Sequence, residues 1–466
     1  MNIFTLICIL GIGVALIFMK FRLGAVASGL YLLFMIMFPS YVKVFGFSPI
    51  TLITCFLAMY VLYDYFIAKN NMSMGDGDIL KIFGIFALFF FLIIPFSGKM
   101  HFLKQIPAIR QFVMELLVPA CLVILLKDKD SGKRIQLFIL CVTFITCLYG
   151  FYTYMIGSNL YSILVQITFP EAADFDQYME EERAGLDGRI GGFVGHPVFY
   201  SGMLMLLFYF IAHLSLGFLK EKKKLLFSFS FVVLLCIVLN IFLSGTRSAM
   251  VALFLGIAYY AIKVLSIARI ALISGLIACF VAFMAFVPVF GKYQPMIDSI
   301  IFFWDDDVAS GEIKGSSVTM RLNQLEGTVE IISGPQILFG NGAGWVRSYM
   351  EKNGKHPVLL GFESLLFSGL VQYGILGFVL LYGSLFGLMI YVNRKLIKEP
   401  KNKYIVNGYI LSYLVYALLT GAFCFTLYLS IYVILLKTMV LTEREAVMKK
   451  LFLSLFIKEK KLILNV

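Results

Sequence analysis

The chain has 466 residues, of which 61% are hydrophobic and only 14% are charged. A soluble globular protein carries roughly 25% charged residues, so the composition excludes that class. The formal net charge of +12 does not indicate a nucleic-acid-binding protein, because the basic residues flank apolar runs, as they do at the cytoplasmic ends of membrane spans.

Twelve apolar runs follow one another along the chain, and most have about the 20 residues that a helix needs to cross the hydrocarbon core. The runs are 3–19, 25–42, 49–68, 79–97, 107–126, 135–157, 196–219, 225–243, 246–263, 266–288, 363–392 and 405–438. The last run is too long for one upright span, and Gly421 is expected to break it into two short helices. Because lipid leaves free backbone polar groups unsatisfied, the sequence predicts an all-α, polytopic transmembrane bundle of about 12–13 spans.

The placement of lysine and arginine predicts the orientation of the bundle. With the N-terminus outside, basic residues collect on the inner side, and both long hydrophilic segments, which are rich in aspartate and glutamate, fall outside. The predicted organisation is N-terminal helices (1–157), a first large outer loop (158–195), central helices (196–290), a large outer catalytic loop (291–362), C-terminal helices (363–440) and a basic cytoplasmic tail (441–466).

The first segment with candidate chemistry is Gly188–Pro197, which closes the first outer loop and opens a span. Arg189 stands here beside several glycines, so its guanidinium and exposed backbone amides can both donate hydrogen bonds to phosphate oxygens. The alternative is a glycine-rich turn whose arginine snorkels to the lipid surface.

Two further arginines lie at or within the membrane. Thr246-Arg247-Ser248 forms a very short outer connection between two apolar runs, so Arg247 must sit close to the membrane surface. A charge there is costly and usually has a partner or a task, which leaves phosphate binding and anchoring to lipid head groups both open. Inside the run 107–126, Arg110 and Glu115 are expected to form a structural ion pair.

The long outer loop contains one predicted helix and one glycine run. Apolar residues at 322, 325, 329 and 332 have helical spacing, so Arg321–Ile332 is predicted to be a short amphipathic helix lying on the membrane or on the bundle, and Ser333-Gly334-Pro335 stops it. The glycine run that follows contains Gly340, Gly342 and Gly344. No strand precedes it, which excludes a dinucleotide-binding fold, and a tight loop that packs Trp345 is the alternative.

Two residues beside the next span are candidate general bases. Glu363 stands at the outer mouth of that span, where partial desolvation of a carboxylate suits proton abstraction. His356, seven residues earlier, is the competing candidate. The alternatives are a helix N-terminal charge for Glu363 and a solvated loop histidine for His356.

These segments together resemble the O-antigen ligase and Wzy-type polysaccharide polymerase superfamily of bacterial envelope enzymes. The resemblance runs from about Gly188 to Gly377 and rests on Arg189–Pro197, on Thr246-Arg247-Ser248, on Arg321–Trp345 and on Gln372–Gly377. Many members open the helix after the long loop with His-Asn. This chain has Glu363-Ser364 there, a variant associated with polymerases more than with ligases, so the identity of the base stays open between Glu363 and His356.

The resemblance implies a metal-independent glycosyltransferase that needs no cofactor and uses a glycan carried on undecaprenyl pyrophosphate. In such an enzyme Arg189, Arg247 and Arg321 would bind the pyrophosphate, Glu363 or His356 would deprotonate the acceptor hydroxyl, and the glycines would support the loop. The implied partners are the lipid-linked oligosaccharide, membrane lipids, a flippase and a chain-length regulator, with no nucleic acid.

The predicted function is therefore a polysaccharide polymerase of capsule, exopolysaccharide or O-antigen synthesis in the cell (cytoplasmic) membrane, with its large loops on the extracytoplasmic side. One alternative is a ligase that moves finished glycan onto a lipid core or a protein. An alternative of another class is a lipid-linked oligosaccharide flippase, which would carry charged residues deep along several spans.

Overall fold

The computed structural model describes residues 49–63, 75–96, 98–126, 129–168, 188–266, 269, 318–359, 361–362, 364–421 and 424–464. Within these ranges the chain is helical and contains no β-strand. Among the described residues, eight helices are long and apolar enough to cross a membrane. The prediction of an all-α, multi-pass membrane protein is confirmed. The runs 3–19 and 25–42 and nearly all of 266–288 lie outside the described residues, so the total of 12–13 spans stays a prediction.

We number the helices in chain order as α1 (Pro49–Leu62), α2 (Asp76–Ile93, extended by a 3-10 turn Ile94–Phe96), α3 (Phe102–Leu125), α4 (Lys129–Ile156), α5 (Leu160–Thr168), α6 (Pro197–Lys220), α7 (Lys224–Leu243), α8 (Arg247–Val264), α9 (Val318–Ile331), α10 (Gln336–Phe339), α11 (Trp345–Asn353), α12 (Leu365–Phe378), α13 (Ser384–Leu396), α14 (Pro400–Thr420) and α15 (Phe425–Leu464). A five-residue π turn, Val379–Gly383, joins α12 to α13.

The break at Gly421 is confirmed, because α14 ends at Thr420 and Gly421 adopts a φ of 128° that favours glycine. The expected shortness of the two resulting helices is wrong: α14 has 21 residues and α15 has 40. The helix α15 continues through most of 441–466, where the sequence predicted a tail, since no glycine or proline interrupts it there.

Two ends of the bundle can be told apart by the contacts between helix termini. We call one of them the loop end. Helices end there at Phe96, Ile156 and Leu243, and the connections 98–101, 188–196 and 244–246 lie there. At the opposite end, ion pairs join Lys220 to Glu399 at 2.7 Å and Lys395 to Asp78 at 2.8 Å. A third pair at this end, Lys437 with Asp76, is almost completely buried.

Small residues bring α8 and α14 close together in the bundle. A Cβ at Gly256 would lie 2.6 Å from the carbonyl oxygen of Gly408, so only glycine permits this approach of the two backbones. Tyr209 reaches the same crossing and shares a 2.5 Å hydrogen bond with Ser412. The crossing fixes α14 against α8, the helix that begins at Arg247.

Histidines cap two of the spans at the loop end. Nδ1 of His101 accepts a hydrogen bond from the Leu103 amide at the start of α3, and Nδ1 of His196 accepts one from the Val198 amide at the start of α6. The first turn of a helix leaves amides without partners, and these imidazoles satisfy one each. Both histidines therefore have structural roles.

Candidate functional site

The loop end brings Arg189 to the turn between α7 and α8. The Arg189 side chain is 3% exposed, and its Nε donates to the carbonyl oxygen of Ser244 at 3.0 Å while its Nη2 donates to Oγ1 of Thr246 at 3.4 Å. The Ile190 amide also donates to the Leu243 carbonyl at 3.4 Å. Because Arg247 follows Thr246 directly and begins α8, two of the three predicted arginines belong to one corner of the bundle.

The electrostatics of this corner favour an anion. Arg247 is the first residue of α8, so its half-buried side chain is next to amides that carry the positive end of the helix dipole. The Thr246 hydroxyl accepts from Arg189 and does not cap the helix. Two guanidinium groups and a helix N-terminus thus concentrate positive charge, an arrangement suited to phosphate oxygens.

Four polar and aromatic side chains hold the glycine-rich segment that carries Arg189. Nδ2 of Asn159 donates to the Gly192 carbonyl at 2.8 Å, and Oδ1 of Asn159 accepts from the Tyr149 hydroxyl at 2.8 Å. The Tyr200 hydroxyl donates to Oδ1 of Asn240 at 2.8 Å. Gly192 has a φ of 52° and a Cβ there would lie 2.5 Å from the Tyr200 ring, so glycine is required.

Sequence reasoning missed these supporting residues. Asn240 is the one with a usable signal, since it is an asparagine inside the apolar run 225–243, and a polar side chain within a span usually has a partner. Asn159 and Tyr149 show no pattern in the sequence, because their partners lie on other segments and meet only when the chain folds.

Arg321 lies on α9, which confirms the predicted helix, and most of the predicted apolar face of α9 is exposed rather than packed on the bundle. Its Nη1 donates to Oε1 of Gln324 at 2.9 Å. The apolar positions Leu322, Leu325 and Val329 are 55%, 37% and 58% exposed, and of the four only Ile332 is buried. The buried positions are instead Gln324, Gly327 and Thr328, because Gly327 lets the loop at Val358 approach to 3.4 Å of where a Cβ would stand.

The glycine run uses its backbone amides within the protein. The Asn341 amide donates to the Val371 carbonyl at 2.9 Å, and the Gly342 amide donates to the Gln372 carbonyl at 3.0 Å. The Gly344 amide donates to Oε1 of Gln372 at 2.8 Å. These amides are therefore not available as a phosphate cradle, and the run holds the loop on α12.

The contact between the glycine run and α12 depends on two glycines, Gly340 and Gly374. The helix α12 kinks at Gly374, with a φ of 68° and a ψ of −178°, and a Cβ there would lie 2.3 Å from the carbonyl carbon of Leu338. A Cβ on Gly340 would lie 2.4 Å from the carbonyl carbon of Gln372. Any side chain at either position forces the loop away from the helix.

A Gly340→Ala substitution is expected to destabilise the protein by about 2–4 kcal/mol, from a left-handed backbone and a backbone clash together. Gly354→Ala is the matched control, since Gly354 has a φ of 74° close to the 72° of Gly340, and nothing lies within 4 Å of its Cβ position. It should cost only about 1–2 kcal/mol. Unfolding measured in detergent compares the two variants. An equal loss of stability in both would contradict a backbone clash at Gly340.

His356 organises a turn near α12. Its Nδ1 accepts hydrogen bonds from the amides of Val358 at 3.2 Å and Leu359 at 3.0 Å, and its ring packs against Tyr349 and Phe362. A neutral imidazole whose Nδ1 accepts must carry its proton on Nε2. In this arrangement neither ring nitrogen offers a free lone pair to a substrate hydroxyl.

Glu363 lies outside the described residues, but the residues directly before and after it, Phe362 and Ser364, are described. Phe362 is buried with a φ of 54°. Ser364 caps α12, since its Oγ accepts from the Leu366 amide at 3.1 Å and donates to the Leu418 carbonyl at 2.5 Å. The chain on either side of position 363 is thus tied to α12 and to the end of α14.

Residues 231–382 match the family model described as O-antigen ligase. The matched segment contains Arg247, Arg321, the glycine run, His356 and Glu363, and it begins after Arg189. No curated protein and no solved structure matches the chain.

Proposed function

We propose that this multi-pass membrane protein, whose residues 231–382 belong to the O-antigen ligase (Wzy_C) family, is a polysaccharide polymerase. Members of that family transfer lipid-linked glycans. The proposed polymerase moves a growing glycan from undecaprenyl pyrophosphate to a lipid-linked repeat unit. The observation that carries the proposal is the corner at which the buried Arg189 guanidinium binds Thr246, the residue before Arg247.

In the proposed reaction the arginines act on the leaving group. The bond between the anomeric carbon of the donor glycan and the pyrophosphate oxygen breaks, and undecaprenyl pyrophosphate keeps the electron pair. Guanidinium groups match paired phosphate oxygens with two parallel hydrogen bonds and stay charged, so Arg247 is suited to stabilise the developing negative charge. Arg189 positions Thr246 and adds positive charge, and Arg321 is proposed to contact the same diphosphate from the long loop.

The acceptor hydroxyl forms the new bond to the anomeric carbon and must lose its proton. We assign that proton to the carboxylate of Glu363. The hydrogen bonds that Nδ1 of His356 accepts from two backbone amides support this choice over His356, because they leave the imidazole without a free acceptor. The loop end is proposed to face the extracytoplasmic side, where a flippase would deliver the donor and a chain-length regulator would set the product length.

The choice of base predicts a difference between two variants. Glu363→Gln is expected to lower the transfer rate by at least about 100-fold, since it removes the proton acceptor. His356→Asn should lower it by less than about tenfold, because an asparagine side chain can accept the same backbone hydrogen bonds. Initial rates across a range of pH test this, and a larger loss in His356→Asn, with the acidic limb of the pH profile removed, would reverse the assignment.

Purified protein in detergent provides the test of the proposed activity. Lipid-linked repeat units should be converted into longer lipid-linked chains, which gel electrophoresis resolves as a ladder. No transport can be observed without a closed membrane, so this conversion distinguishes an enzyme from a flippase. Repeat units that stay unextended with the native chain, and are extended by a known polymerase under the same conditions, would overturn the proposal.

A ligase is the second candidate, because the matched family model is described as O-antigen ligase. It would use the same donor but move finished glycan onto a lipid core or a protein. A deletion strain separates the two activities. Loss of a polymerase leaves single repeat units attached to the final acceptor, whereas loss of a ligase leaves polymer on its carrier lipid.

A further inference from the structure

Arg110 lies inside a candidate membrane span and has no counter-charge among the described residues. It stands eight residues after the start of α3, about 12 Å along the helix from the loop end. Its side chain is exposed, and it makes no hydrogen bond or ion pair within the part of the chain that the structure describes. A cation at this depth is costly unless something neutralises it.

The ion pair expected between Arg110 and Glu115 is absent. Oε1 of Glu115 accepts instead from Nε2 of Gln111 at 2.9 Å. The helix explains this, because residues five apart are separated by about 140° around the axis, whereas residues four apart face the same way. No described residue neutralises Arg110, so its guanidinium is open to a ligand from the lipid.

The face of α3 that carries Arg110 is turned toward lipid. Ile106 and Val113, four residues before and three residues after Arg110, share its face and are 46% and 43% exposed. The roughly opposite face contacts the glycine run, since Oε1 of Gln105 accepts from the Ala343 amide at 3.1 Å and the Cβ of Ala108 is 3.1 Å from the Cβ position of Gly344. Arg110 therefore points away from the packed loop and into the acyl-chain region.

A lipid phosphate is the group best suited to neutralise the Arg110 guanidinium in this position. An arginine on a lipid-facing helix face extends its guanidinium toward the head groups, and this planar group binds two phosphate oxygens at once. The segment from Gly98 to Arg110 contains Lys99 and Lys104, both exposed, and no aspartate or glutamate. Its charge suits an anion and offers Arg110 no competing carboxylate.

We propose that Arg110 is a binding site for the phosphate of a lipid in the leaflet at the loop end, on the side of α3 away from the glycine run. The phosphate has two sources, the diphosphate of an undecaprenyl carrier or an anionic phospholipid such as phosphatidylglycerol. The site is separate from the Arg189–Arg247 corner and does not depend on the transfer reaction.

Binding of undecaprenyl pyrophosphate and of phosphatidylglycerol to the purified full chain, measured separately in phosphatidylcholine nanodiscs, tests the site. Arg110→Gln is expected to raise the apparent Kd at least about tenfold, the loss of one charge-assisted hydrogen-bonding group, and Arg110→Lys should raise it less. Arg394→Gln is the control, since Arg394 is also exposed but lies in the last turn of α13 at the opposite end, and it should leave both Kd values unchanged.

The two Kd values either identify the bound lipid or contradict the proposed site. A weaker Kd for undecaprenyl pyrophosphate alone assigns the carrier lipid, and a weaker Kd for phosphatidylglycerol as well assigns lipid phosphates in general. Unchanged Kd values for both lipids in Arg110→Gln, or equal losses in Arg394→Gln, would overturn the site. Thermal unfolding of Arg110→Gln should match the native chain, since Arg110 makes no hydrogen bond or ion pair with the described residues. The assay contains no glycan acceptor, so its result is independent of whether the chain is a polymerase.

Discussion

Replacement of Arg247 by lysine is expected to lower the rate of glycan transfer about 100- to 1000-fold, at unchanged expression and thermal stability. Lysine keeps the positive charge but replaces a planar fork of donors by a compact ammonium, which cannot form two parallel hydrogen bonds to a diphosphate. The loss should fall on the chemical step, because the charge on the leaving group is largest in the transition state. Polymer length in cells and initial rates in detergent are the two measurements.

Two further substitutions test whether the loss of transfer rate in Arg247→Lys is specific to the Arg189–Arg247 corner. Arg394→Lys alters an exposed arginine at the opposite end of the bundle and should leave the rate within about twofold, as expected for a surface change remote from the site. Arg189→Lys is expected to lower stability as well as the rate, because Nε and Nη2 of Arg189 both hold the turn between α7 and α8. Normal polymer from Arg247→Lys would refute the assignment of Arg247 to the diphosphate.

Neutralising Asp76 is expected to destabilise the folded protein by about 3–5 kcal/mol, because the buried Lys437 would lose the carboxylate with which it pairs. The two side chains are 2% and 3% exposed, and Nζ of Lys437 donates to Oδ1 of Asp76. They join α2 to α15 across most of the chain length. Thermal or denaturant unfolding of Asp76→Asn in detergent measures the loss.

Replacing both partners by apolar residues distinguishes the effect of an unpaired buried charge on stability from the effect of lost packing. Asp76→Leu combined with Lys437→Met should recover most of the lost stability, since replacing a buried pair by apolar residues is often neutral or stabilising. The exposed pair between Lys220 and Glu399, whose side chains are 61% and 38% exposed, is the control. Lys220→Gln should cost less than about 1 kcal/mol. A similar small cost for Asp76→Asn would contradict the importance of burial.

The spans and the break at Gly421 were predictable because they depend on local composition. A run of about 20 apolar residues suffices to make a membrane helix, and a glycine within an over-long run is a common place for a helix to end. Whether the apolar face of α9 would lie on the bundle or away from it was not predictable, because that depends on tertiary contacts. Helical spacing identified Leu322, Leu325 and Val329 as one face, but contact with the loop at Val358 selected the other face, at Gly327, for burial.

The sequence alone determined that this is a multi-pass helical membrane protein with arginines beside its spans, because hydropathy and short motifs are properties of neighbouring residues. Only the tertiary structure decided which groups meet. Arg189 binds a turn 55 residues away, Lys437 neutralises an aspartate 361 residues away, and Glu115 accepts from Gln111 rather than pairing with Arg110. Hydrogen bonds and ion pairs act over a few ångströms, so their partners are chosen by how the helices pack.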